Sequence, residues 1–416
     1  MRGLLFVVLI FISGCGGKKK EFLMGDLESR DSSSYDFDCA RENIVTPPGE
    51  VDSLFLYARW LQKNNQLKRE GGISLEVERL YRIAAEHSHP KANINLQNGS
   101  MLGQLKLRGE EHLRLSEELI NGGYATGYLF VAYFLQQGSA GLKKDESMAL
   151  RYFRKAADEG NPEAQYYVAN KFLGSQVSHH ASIKMLQCAA RQGHGKSALE
   201  LGTGYKIMQQ YRHALEMFHL GVAAGDSTST FALIQGFSGP APTNKLDYLE
   251  LAEDPERADR YTKIWKVLSG YSYADPKVPE INEIVPLPPA KLPPWDGKLQ
   301  WLEERLANVP PEKPSEALIH KLAQEKLLDP ATGKPMPGSP AFSEANFPVM
   351  VCESDQPCPR TGYWKVMVDS LKETVRHFER DEIMPRYKMT WTEPRIWPLH
   401  DKVVQREERV EWGLLG

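Results

Sequence analysis

The residues best suited to covalent or metal chemistry in this 416-residue chain are its five cysteines and its histidine pairs. Cys352 and Cys358 bracket the short loop Cys352-Glu353-Ser354-Asp355-Gln356-Pro357-Cys358. Its spacing exceeds the roughly two to four intervening residues of a zinc knuckle. In an oxidising compartment it suits a disulfide worth about 2 kcal/mol through chain entropy, with two free thiols as the alternative. Cys39 and Cys188 are left over. Cys188 falls on the apolar side of an expected helix and reads as a buried free thiol. His179 and His180 are adjacent, so on a helix they diverge. His213 and His219 are six apart and do not share a face as ligands four apart do. Glu110-Glu111, Glu303-Glu304 and Glu407-Glu408 read as solvated charge runs. No nucleophile elbow, phosphate loop, dinucleotide fingerprint, calcium loop or His-Glu-x-x-His helix occurs. The expectation is a non-catalytic protein with no metal or cofactor. The alternative is a hydrolase with its site in the C-terminal part.

The fifth cysteine is Cys15. Arg2 leads an unbroken apolar run from Leu4 to Ile12, which ends in Ser13-Gly14-Cys15. The run is too short to span a bilayer but suits the core of a secretory signal. Ile12-Ser13-Gly14-Cys15 resembles a bacterial lipobox. That resemblance implies cleavage after residue 14, acylation of Cys15 and a membrane anchor worth roughly 0.8 kcal/mol per buried methylene. It places the mature chain at the envelope, facing the periplasm. Gly16, with no aspartate in that position, favours the outer membrane by resemblance to enterobacterial sorting.

Composition is that of a globular protein, 41% hydrophobic and 25% charged, with room for two or three domains. The formal charge of −3 becomes −4 once Arg2 leaves, which argues against nucleic-acid binding. Residues 15–50 contain Gly16-Gly17-Lys18-Lys19-Lys20 and Ser32-Ser33-Ser34 without helical or strand period, and read as a flexible tether.

From 51 to about 240, within a solenoid expected over 51–270, the chain repeats itself. Ala149 to Ala169 sets apolar residues at helical spacing, closes at Gly160, turns at Asn161-Pro162 and starts a second helix. Aligned on that turn, Ser88, Gly123, Gly160, Gly193 and Gly225 recur at intervals of 35, 37, 33 and 32 residues. The pattern predicts a helix–turn–helix solenoid. Alanines such as Ala156, Ala157, Ala164, Ala189, Ala190 and Ala198 allow close approach. Tyr152, Phe153, Tyr166, Phe172 and Phe218 fill the layers. Residues 254–268 read as a capping helix. Residues 271–298 form a Pro-rich stretch incompatible with regular helix or central strand, either a stiff connector or an extended segment laid on the solenoid.

The unit Ala149–Ala169, with the linker Gly138-Ser139-Ala140-Gly141-Leu142-Lys143-Lys144-Asp145, resembles the Sel-one-like repeat, a relative of the tetratricopeptide repeat. The resemblance covers nearly half the chain and implies a protein-binding surface. Tyr128, Tyr133, Tyr166, Lys171 and Tyr205 are the candidate partner contacts, being aromatic or cationic residues of the inner helices. Each equally suits packing between layers.

Residues 299–416 read as a separate small α+β module. Helices are expected near 299–306 and 316–327, and strands at Gly362–Val368 and Tyr387–Trp391, with Trp364 and Trp391 as core. Cys358-Pro359-Arg360-Thr361-Gly362-Tyr363-Trp364, with Phe378, Met384-Pro385 and Trp391, resembles the C-terminal segments of immunity proteins against contact-delivered (type VI) toxins. The Pro-Pro-Trp-Asp-Gly stretch resembles an uncharacterised domain attached to Sel-one-like lipoproteins. Together these imply a lipid-anchored protein that binds and blocks a secreted toxin such as a phospholipase. An envelope scaffold or adaptor is the alternative. The fold class is therefore a mainly α solenoid followed by a small α+β module.

Overall fold

The computed structural model describes residues 37–47, 49–173, 179–342, 351–359, 362–367, 375–393 and 402–415. The expectations about Cys15 and the signal sequence lie outside these residues. The fold is mainly helical. The first twelve helices are α1 (Glu50–Asn65), α2 (Gly71–Glu86), α3 (Pro90–Met101), α4 (Gly109–Asn121), α5 (Ala125–Gln137) and α6 (Glu146–Asp158). They continue with α7 (Pro162–Phe172), α8 (His179–Arg191), α9 (Gly195–Ile207), α10 (Tyr211–Ala223), α11 (Ser227–Phe237) and α12 (Pro255–Gly270). Each packs on its neighbours in sequence, as a solenoid requires.

The turn grammar has a direct structural cause. Ser88, Gly123, Gly160, Gly193 and Gly225 all adopt positive φ, at 60°, 79°, 101°, 86° and 86°. Glycine takes this conformation without steric cost and serine does not. The next residue is in each case an N-cap. Asn161 Oδ1 accepts from Ala164 N at 3.0 Å, and Asp226 Oδ1 accepts from Ser229 N at 2.5 Å. His89 and His194 do the same through Nδ1. Tyr124 is the exception, with no side-chain cap for α5. Between the layers Ala156, Ala157, Ala164, Ala189 and Ala198 are completely buried around Phe153 and Tyr152.

Part of the expected tether is instead fastened down. Phe37 is buried in the core of α5–α9. Cys39 is disulfide-bonded to Cys188, 149 residues away. Ala40 O accepts from Gln165 Nε2 at 3.2 Å and Gln192 Nε2 at 3.3 Å. Glu42 N donates to Gly160 O at 3.2 Å. Its carboxylate accepts from Thr126 N at 2.8 Å, Thr126 Oγ1 at 2.9 Å and Asn161 Nδ2 at 2.9 Å. Glu42 thus supplies the cap that Tyr124 lacks. A segment without periodicity reads as coil in sequence, yet here its partners are the turns of the repeats. Cys188 is accordingly no free thiol.

The Pro-rich stretch is laid on the last repeat. Val278, Ile281, Ile284, Val285 and Leu299 are buried with α10–α12. Arg260 Nη1 donates to Ile284 O at 2.7 Å, and Val278 N to Ala223 O at 3.0 Å. A short helix α13 (Ile281–Ile284) interrupts this stretch. The helices α14 (Gln300–Ala307) and α15 (Glu316–Glu325) follow. They return the chain to its start. Lys321 Nζ pairs with Glu50 at 2.7 Å, Arg79 Nη2 with Glu316 at 2.7 Å, and His87 Nε2 bonds Leu322 O at 2.9 Å. The first compact unit therefore runs to Leu322 and includes 330–333, and the second comprises 323–329 and 334–416. The division expected at 299 falls later, because contacts spanning over two hundred residues hold 299–322 to the first helices.

Within the second unit, β1 (Val351–Glu353), β2 (Gly362–Val366), β3 (Val375–Phe378) and β6 (Glu411–Leu415) form an antiparallel sheet in the order β1-β6-β2-β3. The strands β4 (Tyr387–Glu393) and β5 (Lys402–Glu408) form a separate hairpin. Trp364 and Trp412 are completely buried, with Phe378 edge-on to Trp412 at 5.1 Å. The side chain of Trp391 lies outside the described residues.

Candidate functional site

Helices α5, α7 and α9 form one layer of the solenoid, and the five candidate contacts all lie on it. Tyr128 and Tyr133 come from α5, Tyr166 and Lys171 from α7, and Tyr205 from α9. The four tyrosines are half-buried and pack against the core, whereas Lys171 is exposed. Tyr133 lies edge-on to Phe153 at 5.3 Å. Burial pushes its hydroxyl up to about 12, with Glu163 and Tyr167 adding. Tyr128 sits under Lys155 at 5.6 Å and tilts toward Tyr152. Tyr166 meets His194 at 4.9 Å, and Tyr205 meets His213 at 5.4 Å. Gln187 Nε2 donates to Tyr205 OH at 2.8 Å.

Between these aromatics runs a set of polar contacts that the sequence reading did not single out. Gln136 Nε2 donates to Tyr167 OH at 2.7 Å, linking α5 to α7. His194 Nε2 bonds Glu163 at 3.0 Å, and Asn170 Nδ2 donates to Glu200 at 3.1 Å, linking α7 to α9. The bond to His194 holds the Glu163 carboxyl below its usual range. Lys171 Nζ lies 5.8 Å from the Tyr167 ring. The available signal was the placement of Glu163, Tyr167, Asn170 and Lys171 at helical spacing on α7. Such a face offers amide, hydroxyl and ammonium groups on a rigid scaffold, which suits peptide or protein recognition.

The residues considered for chemistry are placed otherwise. Cys352 and Cys358 are buried and are not joined. Their loop makes one turn of its own, Gln356 N donating to Glu353 O at 3.2 Å, and is otherwise tied to neighbouring strands and loops. Ser354 N donates to Val410 O, Asp355 N to Met384 O and Cys358 N to Glu382 O, at 2.9, 2.8 and 2.7 Å. The sulfurs fill core beside Trp364, Trp412 and Met384, and burial raises the Cys352 thiol. Among the described residues the disulfide is Cys39–Cys188 instead. His219 is buried between Tyr261 OH and Asn282 Oδ1, each at 2.9 Å, while His179 bonds Leu173 O. Among the described residues no group of three or more His, Cys, Asp or Glu is placed to hold a metal ion. No described helix is long and apolar enough to cross a membrane. A cleft of about 510 Å³ opens beside α1 and α2, lined by Leu75, Glu78, Leu102 and Lys106 among others. Glu78 there is already engaged by Arg82 Nε at 3.1 Å and Lys106 N at 2.8 Å.

A family match agrees with the repeat architecture. The Sel1 repeat family matches residues 125–161 and 162–194, which span α5–α6 and α7–α8, so the chain carries Sel1 repeats. A domain of unknown function, DUF6396, matches residues 229–336, from α11 through the Pro-rich stretch to beyond α15. Among solved structures, immunity protein Pa5087 from Pseudomonas aeruginosa is 24% identical, with a TM-score of 0.48 over 61% of this chain and 95% of that one. Immunity protein PA5088 from the same organism is 23% identical, with a TM-score of 0.48 over 61% and 94%. A Sel1 repeat protein from Oxalobacter formigenes is 19% identical, with a TM-score of 0.37 over 54% and 88%.

Proposed function

We propose that this chain is a lipid-anchored, periplasm-facing solenoid that binds a secreted toxin and neutralises it by occlusion. The observation that carries the reading is the run of Sel1 repeats whose layer α5, α7 and α9 presents aromatic, amide and cationic groups from rigid helices. Blocking by stoichiometric binding asks for such a surface rather than for catalytic groups. Pa5087 and PA5088 are immunity proteins. A toxin that attacks lipid, such as a phospholipase, suits a blocker held at the membrane through Cys15. Anchoring there is read from Ile12-Ser13-Gly14-Cys15 and favours the outer membrane.

The test is survival of a sensitive host challenged with the secreted toxin, with and without this chain in its periplasm. The expected outcome is protection together with co-purification of chain and toxin in near-equal amounts. Protection without a complex contradicts occlusion, and envelope-assembly components in place of a toxin favour the scaffold reading. Cys15→Ala is expected to abolish acylation and move the chain from the membrane to the soluble fraction. Retention of that variant on membranes in high salt contradicts the anchor.

A further inference from the structure

Where the return segment meets α1, the first unit builds a second surface. Trp60 Nε1 and Asn64 Nδ2, both from α1, donate to Asn308 Oδ1 at 3.0 Å each, which pins the end of α14 to α1. This brings three cations together, Arg59 and Lys63 from α1 and Arg305 from α14. The Arg305 guanidinium lies over the rings of Tyr273 at 5.5 Å, Trp301 at 5.7 Å and Tyr271 at 6.0 Å. Tyr57 and Trp60 stack at 5.9 Å alongside. None of the three cations forms an ion pair among the described residues. Arg59 donates to the neutral Gln62 Oε1 at 2.8 Å. The carboxylate nearest in effect is Glu304, which already accepts from Gln300 Nε2 at 2.8 Å. Burial, then the charges of Arg59 and Arg305, hold Lys63 below its ordinary value against the opposing pull of Glu304. Fold stability alone favours dispersing like charges, not gathering them.

We propose that this aromatic–cationic seam docks the partner, and that the partner presents a protein segment carrying carboxylates beside apolar or aromatic side chains. The proposal rests on the protein-binding function argued above and adds a second contact surface to the α5, α7 and α9 layer. A guanidinium backed by rings keeps its edge free for bidentate contact with a carboxylate. Tryptophan, tyrosine and arginine are the residues that dominate binding energy at interfaces. Leu306 and Val309, exposed at 65% and 76%, flank Asn308 in sequence and supply apolar area. An anionic bilayer is the poorer match, since attraction to head groups needs many more cations than three, and the whole chain carries a net charge of −3.

The experiment uses the full chain and a fluorescein-labelled dodecapeptide of alternating Asp and Glu with interspersed Leu and Phe. Controls are its Asn/Gln counterpart and vesicles of phosphatidylglycerol. The acidic peptide is expected to bind, more weakly as salt rises, and its amide counterpart roughly tenfold less well. Arg305→Ala and Lys63→Ala should each weaken binding by a similar factor. Lys63→Ala should leave the thermal midpoint unchanged or raised, whereas a merely structural lysine would lower it. Equal binding of both peptides, indifference to both substitutions, or binding of vesicles alone overturns the proposal. If the chain protects against its toxin and a Lys63→Ala/Arg305→Ala variant protects equally, the seam is wrong and the function stands. If the acidic peptide tracks the seam but no toxin is neutralised, the function is wrong and the seam stands.

Discussion

The turn edge of the repeats and the seam between α1 and α14 are opposites in how their polar groups are met. At the turns of Gly123, Gly160 and Gly193 the polar groups are met from within the chain. Glu42 caps α5, Ala40 O takes the amides of Gln165 and Gln192, and Cys39 locks the arrangement to α8. At the seam, Arg59, Lys63 and Arg305 crowd one another with no ion pair among the described residues. The first region is built for stability. The second bears an electrostatic cost that a bound anion would relieve, which marks it as a place of binding.

Removing the disulfide should produce the largest effect on the covered edge. Closing a loop of this separation gives an upper limit on the order of 5 kcal/mol. Cys39→Ser is expected to lower the denaturant midpoint by a large part of that, and wild type with reductant should behave like the variant. Unchanged unfolding would mean that the fastened segment contributes little.

A pair of glycines sharpens the same contrast. Gly160 and Gly193 share the positive-φ turn position. A methyl at Gly160 would meet Glu42 N at 2.5 Å and Arg41 backbone at 2.6 Å, whereas Gly193 has open space. Gly193→Ala should cost about 1 kcal/mol from backbone conformation alone. Gly160→Ala should cost roughly 3 kcal/mol, the same strain plus overpacking. Equal losses by chemical denaturation would show that the segment 37–47 does not press on the turn.

What could be read in advance follows from range. The turn positions were legible because each is a local decision between glycine and its successor, repeated five times. Even the degenerate Ser88 sits at φ 60°. The strands near 362 and 387 and the helices near 300 and 316 were legible as well. The Cys39–Cys188 pairing was not, because it joins an aperiodic stretch to a helix 149 residues later. The same holds for the seam, where Trp60 and Asn308 meet across 248 positions. Local spacing carries no record of such distances. On the α5, α7 and α9 layer the aromatics were found from composition. The amide and carboxylate partners between them depend on which helices stand side by side.

Smaller effects test the two regions individually. Glu42→Ala should destabilise by about 1 kcal/mol, the usual loss on deleting an N-cap, with Thr126 N and Asn161 Nδ2 both left short of an acceptor. A neutral result would remove Glu42 from the account of α5. Ser88→Gly should stabilise by up to about 1 kcal/mol by relieving its left-handed backbone. Lys63→Ala should stabilise by a few tenths of a kcal/mol at most, since Lys63 is exposed enough for solvent to screen the repulsion. The opposite signs of Glu42→Ala and Lys63→Ala are the contrast in its simplest form.

The most direct test is hydrogen exchange of the full chain, alone and in complex with the toxin against which it protects. Protection is expected to rise at residues 57–64, 271–274 and 300–308 and on the α5, α7 and α9 layer, with no change at 40–42, 160–161 and 188–192, which the chain already covers itself. New protection confined to the turn edge, or none in residues 57–64 and 300–308, would contradict it.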